Sequence, residues 1–200
     1  MIAPWVNKMA EKNYNLERLN VLIVEDNKHM RALVRTILLA LGVKNVLEAD
    51  DGAGAFKELR HFPADIIIAD WNMEPLDGLD FTRMVRTAKD SPNPFVPIIM
   101  LTGHTEMNRV QEARDAGIHE FLAKPISATS LYSRFRAIIE RPRPFIRTAG
   151  RFGYFGPDRR RKQLPGYMGE EHRKKGASEV VSPSGGSELT QAEVEALLKG

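Results

Sequence analysis

The stretch that decides the fold is Val21–Asp26 (VLIVED), an apolar run that ends in two adjacent carboxylates. Three further apolar runs lead to polar residues in the same way, namely Asp70, Thr102 and Lys124. Short apolar runs of this kind are typical of strands that are buried on both faces of a parallel sheet. Because chemistry collects at the carboxyl ends of such strands, we expect these polar side chains to share one pocket.

Strand and helix patterns alternate along residues 19–140, which favours an α/β fold with a parallel sheet covered on both faces. The predicted strands are residues 20–24, 44–48, 65–69, 97–101 and 119–123. The predicted helices are residues 28–41, 52–61, 78–88, 106–116 and 127–140. Gly42 and Gly117 lie where helices should end, since glycine readily adopts the left-handed conformation. Five such units predict a five-stranded, doubly wound sheet of order 2-1-3-4-5.

Composition limits the class of protein. At 200 residues the chain has room for one domain with extensions rather than for two large domains. It contains no cysteine, which excludes disulfides and thiolate metal sites. The first residues lack an apolar signal core, and no stretch approaches the ~18–20 apolar residues of a membrane span. We therefore expect a cytoplasmic protein without a membrane partner.

Charge divides the chain unevenly. Residues 1–140 carry 17 basic and 19 acidic side chains, whereas residues 141–175 carry 11 basic and 3 acidic ones. We call residues 141–175 the basic extension; they are rich in Arg, Gly and Pro and are predicted to be irregular. Their charge favours an anionic partner or the acidic face of the chain's own domain. The predicted organisation is a polar leader, a domain, the basic extension, a flexible linker and a short amphipathic helix, at residues 1–18, 19–140, 141–175, 176–187 and 188–200.

The residue types expected in the pocket suit phosphoryl transfer. A carboxylate such as Asp70 can attack phosphorus and form an acyl phosphate. The reaction needs a divalent cation to neutralise phosphoryl charge, and Glu25 and Asp26 offer the hard oxygen ligands that Mg²⁺ prefers. Taken singly, each residue has an ordinary alternative, such as a turn or a helix cap, and Asn27 is a plausible cap for the first helix.

The order and spacing of these residues resemble those of response regulator receiver domains, over about residues 19–140. The resemblance implies that a histidine kinase phosphorylates Asp70. It also implies a Mg²⁺ site formed by four groups: Glu25, Asp26, Asp70 and the backbone carbonyl of Asn72. Glu25 departs from the commonest pattern, which has aspartate there, but it keeps the charge.

The same resemblance assigns roles to residues on the later strands. Lys124 is implied to pair with the phosphoryl group, and its bond to Pro125 to be cis. Thr102 is implied to bond a phosphoryl oxygen and so to sense its presence. Phe121 occupies the position of an aromatic switch, for which a simple core phenylalanine is the alternative. His104 lies where receivers tune the lifetime of the acyl phosphate.

The basic extension interleaves arginines with aromatic residues and glycines. Guanidinium groups stack on bases, pair with phosphate and bind a guanine edge. The pattern resembles CheY-like cyclic di-GMP effectors of the flagellar motor, and the implied ligand residues are Arg147, Arg151, Asp158, Arg159, Arg160 and Arg161. A general anion-binding tail and a purely structural wrap are the alternatives.

The last predicted element is a short helix over residues 188–199, with a capping box formed by Thr190 and Glu193. A helix of this length is unstable alone in water, so it should form on a surface. Its sequence is similar to the CheY-binding segment of the flagellar switch protein FliM. The similarity implies docking on the chain's own domain near Phe121, and an incidental amphipathic helix is the alternative.

Together these observations predict a response regulator rather than an enzyme, with Mg²⁺ as its cofactor. The expected partners are a histidine kinase and a flagellar switch or other effector protein in chemotaxis, with cyclic di-GMP as a second input. The alternatives are a phosphate sink and a nucleic-acid-binding regulator that uses the basic extension. Nucleic acid is disfavoured as a partner, because a basic tail alone binds in a salt-sensitive and sequence-blind way.

Overall fold

The structure, a computed structural model, describes residues 14–103, 107–149, 153–159 and 178–182. Strands β1–β5 are Asn20–Val24, Asn45–Ala49, Ile66–Asp70, Ile98–Thr102 and Glu120–Ala123. Helices α1–α5 are Lys28–Ala40, Gly52–Glu58, Gly78–Thr87, Met107–Ala116 and Ala128–Glu140. Within these ranges, no helix has both the length and the apolar character needed to cross a membrane.

The central sheet has the predicted architecture. Its five strands are parallel and lie in the order β2-β1-β3-β4-β5. Val24 of β1 pairs with Ala69 of β3, and Asp70 in turn pairs with Leu101 of β4. This register brings the carboxyl ends of the three central strands level with one another, as the pocket requires.

Two apolar clusters cover the two faces of the sheet. The cluster beneath α2, α3 and α4 includes Leu22, Ile67 and Phe81, all fully buried. The cluster beneath α1 and α5 includes Leu16 and Phe135, which are 1% and 0% exposed. Because Leu16 precedes β1 and belongs to this core, the packed part of the chain begins upstream of the predicted boundary at residue 19.

Local signals set the ends of the helices. The side chain of Asn27 accepts hydrogen bonds from the backbone N–H groups of His29 and Met30, at 3.0 and 3.2 Å, and so caps α1 as expected. Gly42 and Gly117 follow α1 and α4 with φ of 93° and 100°, the left-handed conformation predicted for them. The cap at Asn27 starts α1 immediately after the acid pair, which fixes where those carboxylates lie.

The prediction that the basic extension is irregular is wrong for two of its described segments, residues 145–148 and 155–157. Three strands, β6 (Phe145–Thr148), β7 (Phe155–Pro157) and β8 (Ser178–Val181), form an antiparallel sheet in the order β7-β6-β8. Strand β8 lies within residues 176–187, which were predicted to be a flexible linker. Pairing between distant segments satisfies the backbone hydrogen bonds here, and local composition does not reveal such pairing.

This small sheet packs against the domain at the amino ends of β4 and β5. The ring of Phe145 lies 5.0 Å from that of Phe95, just before β4, and 5.4 Å from that of His119, just before β5. Phe145 and Tyr154 are each 7% exposed. The extension therefore contacts the end of the central sheet opposite to the predicted pocket.

Candidate functional site

Three carboxylates meet at the carboxyl ends of β1 and β3. Glu25 and Asp26 follow β1, Asp70 is the last residue of β3, and one carboxylate oxygen from each lies within 4.8 Å of the others. Glu25 and Asp70 are 1% and 4% exposed, whereas Asp26 is exposed. The cluster is thus buried on one side and open to solvent at Asp26.

Lys124 supplies the positive charge at this cluster. Its Nζ lies 2.8 Å from Oδ1 of Asp70 and 3.3 Å from Oε2 of Glu25. The residue follows β5, its backbone N–H donates to the carbonyl of Thr102 at 2.8 Å, and its bond to Pro125 is cis as expected. The lysine therefore bridges the two buried carboxylates that come from β1 and β3.

The pocket perturbs its ionisable groups in a consistent way. Burial, followed by the nearby charge of Asp70, raises the pKa of Glu25, and Lys124 offsets only part of this effect. Burial alone would lower the pKa of Lys124, but its contacts with Asp70 and Glu25 outweigh burial and raise it. Lys124 is therefore held in its charged form, as the counter-ion of a crowded acidic site.

Backbone contacts fix the position of Glu25. Its N–H donates to the carbonyl of Ala49 on β2 at 3.1 Å, and its Oε1 accepts from the N–H of Asn27 at 3.2 Å. Its carbonyl accepts from Nη1 of Arg31 at 2.6 Å. Arg31 was not singled out from the sequence, because an arginine on an amphipathic helix reads as an ordinary surface residue.

Gly78 is a second residue of the site that sequence reasoning missed. Its N–H donates to the carbonyl of Trp71 at 2.9 Å. A Cβ atom here would lie only 2.1 Å from the carbonyl oxygen of Asp70 and 2.9 Å from Sδ of Met100. Only glycine allows α3 to start against the end of β3, and the pair Asp77-Gly78 is the turn signal that indicates it.

Thr102 and Phe121 lie on the neighbouring strands. Thr102 is the last residue of β4, 3% exposed and paired in register with Ala123. Phe121 is partly buried and packs against the cluster beneath α2, α3 and α4. Asn72 lies on the exposed loop after β3, and His104 lies outside the described residues. The fold thus brings Thr102 to the same edge of the sheet as the three carboxylates.

The donor set fits a hard divalent cation. Glu25, Asp26 and Asp70 offer one carboxylate oxygen each within 4.8 Å, and the exposed side at Asp26 leaves room for water or substrate oxygens. Mg²⁺ is typically held in this way, by few carboxylates and several waters, rather than by a closed protein cage. The residues present therefore match the predicted metal.

The residues proposed to bind cyclic di-GMP lie in the basic extension and not in the acidic pocket. The guanidinium of Arg147 lies 5.1 Å from the ring centre of Phe155, and that of Arg159 lies 4.2 Å from the ring centre of Tyr154. Arg159 also pairs with Asp115 at the end of α4. These contacts favour the structural wrap that the sequence left as an alternative. Three further candidates lie outside the described residues, namely Arg151, Arg160 and Arg161, and so does the predicted terminal helix at residues 188–200. Asp158 is described and is partly buried.

Residues 21–136, more than half of the chain, match the response regulator receiver domain family. The chain belongs to this family. The receiver is 33% identical over 125 residues to chemotaxis protein CheY-3 of Vibrio cholerae, covering 62% of this chain and 95% of that protein. It is 34% identical over 123 residues to chemotaxis protein CheY of Pseudomonas aeruginosa, covering 62% and 98%. The protein is thus a CheY-like signalling receiver and not a classical enzyme.

Solved structures agree with this assignment. The Vibrio cholerae chemotaxis protein CheY4 superposes with a TM-score of 0.55 at 31% identity, covering 60% of this chain and 98% of that one. The receiver domain of a Pseudomonas aeruginosa sensor histidine kinase superposes with a TM-score of 0.53 at 29% identity, covering 59% and 94%. That domain was solved with a magnesium ion coordinated in its active-site cleft. In each case the match spans the receiver and leaves much of this chain uncovered.

Proposed function

We propose that this protein is a response regulator that accepts a phosphoryl group on Asp70 from a histidine kinase. The observation that carries the proposal is the pocket itself. The carboxylate of Asp70 lies 2.8 Å from Nζ of Lys124 and within 4.8 Å of the carboxylates of Glu25 and Asp26. A solvent-open acidic cluster with one lysine suits metal-assisted phosphoryl transfer better than a purely structural role.

In the proposed reaction, a carboxylate oxygen of Asp70 attacks the phosphorus of a phosphohistidine. The P–O bond to Asp70 forms as the P–N bond breaks, and the histidine ring leaves with the electron pair. Lys124, whose Nζ lies 2.8 Å from Oδ1 of Asp70, orients the attacking carboxylate and offsets part of the negative charge of the incoming phosphoryl group. Mg²⁺ would neutralise negative charge on the phosphoryl group. The groups that would hold it are Glu25, Asp26, Asp70 and the carbonyl of Asn72.

We propose that the output is protein–protein contact in chemotaxis or flagellar motility control. The names of the relatives support this proposal, since two of them are chemotaxis proteins that match over nearly their whole length. In the proposed switch, the hydroxyl of Thr102 bonds the phosphoryl group and Phe121 repacks on β5. Phe121 has no hydroxyl, so its response works through packing. Docking of residues 188–199 near Phe121 and binding of cyclic di-GMP stay predictions.

The test is phosphorylation of the full chain by a small phosphodonor, phosphoramidate, with MgCl₂, followed by intact-mass spectrometry. We expect wild type to gain one phosphoryl group and Asp70→Asn to gain none. Asp50→Asn is the matched control, because Asp50 is an exposed carboxylate just after β2 and outside the cluster. Chelation of Mg²⁺ should prevent the reaction in every variant.

Labelling of Asp70→Asn at the wild-type rate, or no labelling of wild type, would contradict the proposed phosphoacceptor. The output is tested separately, by comparing the binding of a candidate flagellar switch protein before and after phosphorylation. Equal affinities would contradict a phosphorylation switch and favour the phosphate sink.

A further inference from the structure

Arg31 connects three parts of the chain around the acid pair. It lies in the first turns of α1, and its Nη1 donates to the backbone carbonyl of Glu25 at 2.6 Å. Its Nε lies 3.4 Å from Oε2 of Glu48 on β2. The side chain is 20% exposed, so it is more enclosed than a free surface arginine. One guanidinium thus links α1, β2 and the peptide that joins Glu25 to Asp26.

We propose, building on the function proposed above, that Arg31 is a positioning residue of the metal-binding site. The carbonyl that it holds belongs to the peptide unit between Glu25 and Asp26. Fixing the plane of this peptide constrains the backbone from which the side chains of Glu25 and Asp26 both extend. A charged donor makes a shorter and stronger hydrogen bond than a neutral one, which suits this task. Groups that orient metal ligands in this way commonly matter for affinity almost as much as the ligands themselves.

The planar fork of arginine explains why this residue type serves here. Arg31 contacts the Glu25 carbonyl and the Glu48 carboxylate through different nitrogens, and the ion pair limits its rotation. A lysine has a single ammonium group and holds one such partner with much less directional constraint. We therefore expect lysine to restore the charge at this position but only part of the geometry.

Arg35 offers a matched control in the same cluster. Its Nε lies 2.9 Å from Oε1 of Glu48, so it shares the partner of Arg31. It is one helical turn further along α1 and 45% exposed, and it is Arg31, not Arg35, that donates to the carbonyl of Glu25. Loss of Arg35 likewise removes one positive charge and one ion pair of Glu48, but it leaves the hydrogen bond to the peptide of the acid pair in place.

The experiment is a titration of the full chain with MgCl₂, followed by the fluorescence of Trp71, which is buried beside Asp70. All proteins carry Trp5→Phe, so that Trp71 is the only tryptophan. The variants are Arg31→Met, Arg31→Lys and Arg35→Met. We expect Arg31→Met to weaken Mg²⁺ binding about tenfold, the lower end of the range for such orienting groups. Arg31→Lys should give an intermediate loss, and Arg35→Met should stay within about twofold of wild type.

The sign of the change separates positioning from simple electrostatics. Removing a positive charge beside an acidic pocket reduces its repulsion of Mg²⁺, so a pure charge effect predicts tighter binding by Arg31→Met. Tighter or unchanged binding overturns the proposal, as does an equal loss in Arg35→Met. If Arg31→Met does not fold, Arg31→Lys decides, and wild-type affinity in that variant overturns it. No saturable response in wild type would instead overturn the proposed metal-dependent function itself.

Discussion

Gly78 shows how a residue without a side chain shapes the proposed phosphorylation site. The carbonyl of Asp70 occupies the space where a Cβ atom of residue 78 would lie, 2.1 Å away. This contact is with backbone, which cannot rotate aside as a flexible side chain can. A substitution at Gly78 must therefore move either the start of α3 or the end of β3, on which Asp70 lies.

Gly78→Ala should lower the free energy of unfolding by at least about 2 kcal/mol, because it overpacks a site that has no room to expand. It should also slow phosphorylation by phosphoramidate, since Asp70 moves with its carbonyl. Gly54→Ala in α2 is the control, because an added Cβ there would make only ordinary contacts of 3.5 Å or more. Urea unfolding measures the first effect; equal stabilities of the two variants would contradict the tight contact at Gly78.

A second prediction at the scale of single residues concerns the buried ring of His119. It is 7% exposed, and its Nδ1 accepts from the N–H of Ile98 at 3.3 Å. Burial, then the charges of Arg86 and Arg143, hold the pKa of His119 well below its usual 6.5. The folded protein therefore keeps this ring neutral at pH values where the unfolded chain binds a proton.

The sign of the pH dependence follows from that difference. The contribution of His119 to stability is complete above pH 6.5 and is lost as the pH falls below it. The loss should approach about 1.4 kcal/mol per pH unit while the folded ring stays neutral. His119→Asn, which keeps an acceptor near the Nδ1 position, should flatten this slope in urea unfolding between pH 8 and roughly 5. An identical slope in the variant would contradict the buried neutral histidine, and exposed His61→Asn is the control.

At the scale of elements, the described part of the basic extension is packed on the domain. Phe145 of β6 contacts the rings of Phe95, His119 and Phe155 at 5.0 to 5.5 Å. The buried guanidinium of Arg86 lies 5.3 Å from the centre of the Phe145 ring. Burial lowers the pKa of Arg86 to about 9, and its donors reach the carbonyls of three residues: Pro94, Val96 and Gly117. The extension thus closes over a buried cation that ties α3 to the starts of β4 and β5.

Phe145→Ala should therefore lower the free energy of unfolding by about 3 kcal/mol, the usual cost of deleting a buried aromatic ring. Val180→Ala is a control within the same small sheet, because Val180 is 64% exposed on β8. The two variants are compared by urea unfolding of the full chain. Equal and small losses would show that β6 does not pack on the domain.

The strands of the central sheet show how much of the fold can be predicted from the sequence. Four of the five strands of the central sheet were predicted one residue early at their amino ends, because a continuous apolar run marks a buried strand but not its limits. Asp70 and Thr102 are the last residues of β3 and β4, whereas the sequence predicted that they follow these strands. The sheet order and the meeting of Glu25, Asp26 and Asp70 with Lys124 agree with expectation, because parallel strands align their carboxyl ends.

The extension escaped prediction for a physical reason. Its strand β6 pairs with β8, about 30 residues further along the chain, and such pairing leaves no local period in the sequence. Arg31 and Gly78 escaped because their partners are backbone carbonyls, of Glu25 and Asp70. Sequence patterns report the side chains that face a core or a pocket, and they do not report which carbonyl a side chain will meet.

At the scale of the whole molecule, the acidic pocket and the packed part of the extension lie at opposite ends of the central sheet. The acidic pocket lies at the carboxyl end of β5, where Lys124 follows the strand, and the extension packs beside His119 at its amino end. Strand β5 has four residues and so spans roughly 13 Å. In the residues that the structure describes, the extension contacts α4 through the ion pair of Arg159 with Asp115, and Asp26 at the pocket is exposed. The described part of the extension therefore packs away from the pocket.

The central claim is that Asp70 is the phosphoacceptor, and the most direct measurement identifies the modified residue itself. The full chain is phosphorylated with phosphoramidate and MgCl₂ and then treated with sodium borohydride, which reduces an aspartyl phosphate to homoserine. Peptide mass spectrometry then locates the homoserine. We predict homoserine at residue 70 alone, and none when Mg²⁺ is chelated. Homoserine at Asp26 instead of Asp70, or at no residue of the acidic cluster, would contradict the account.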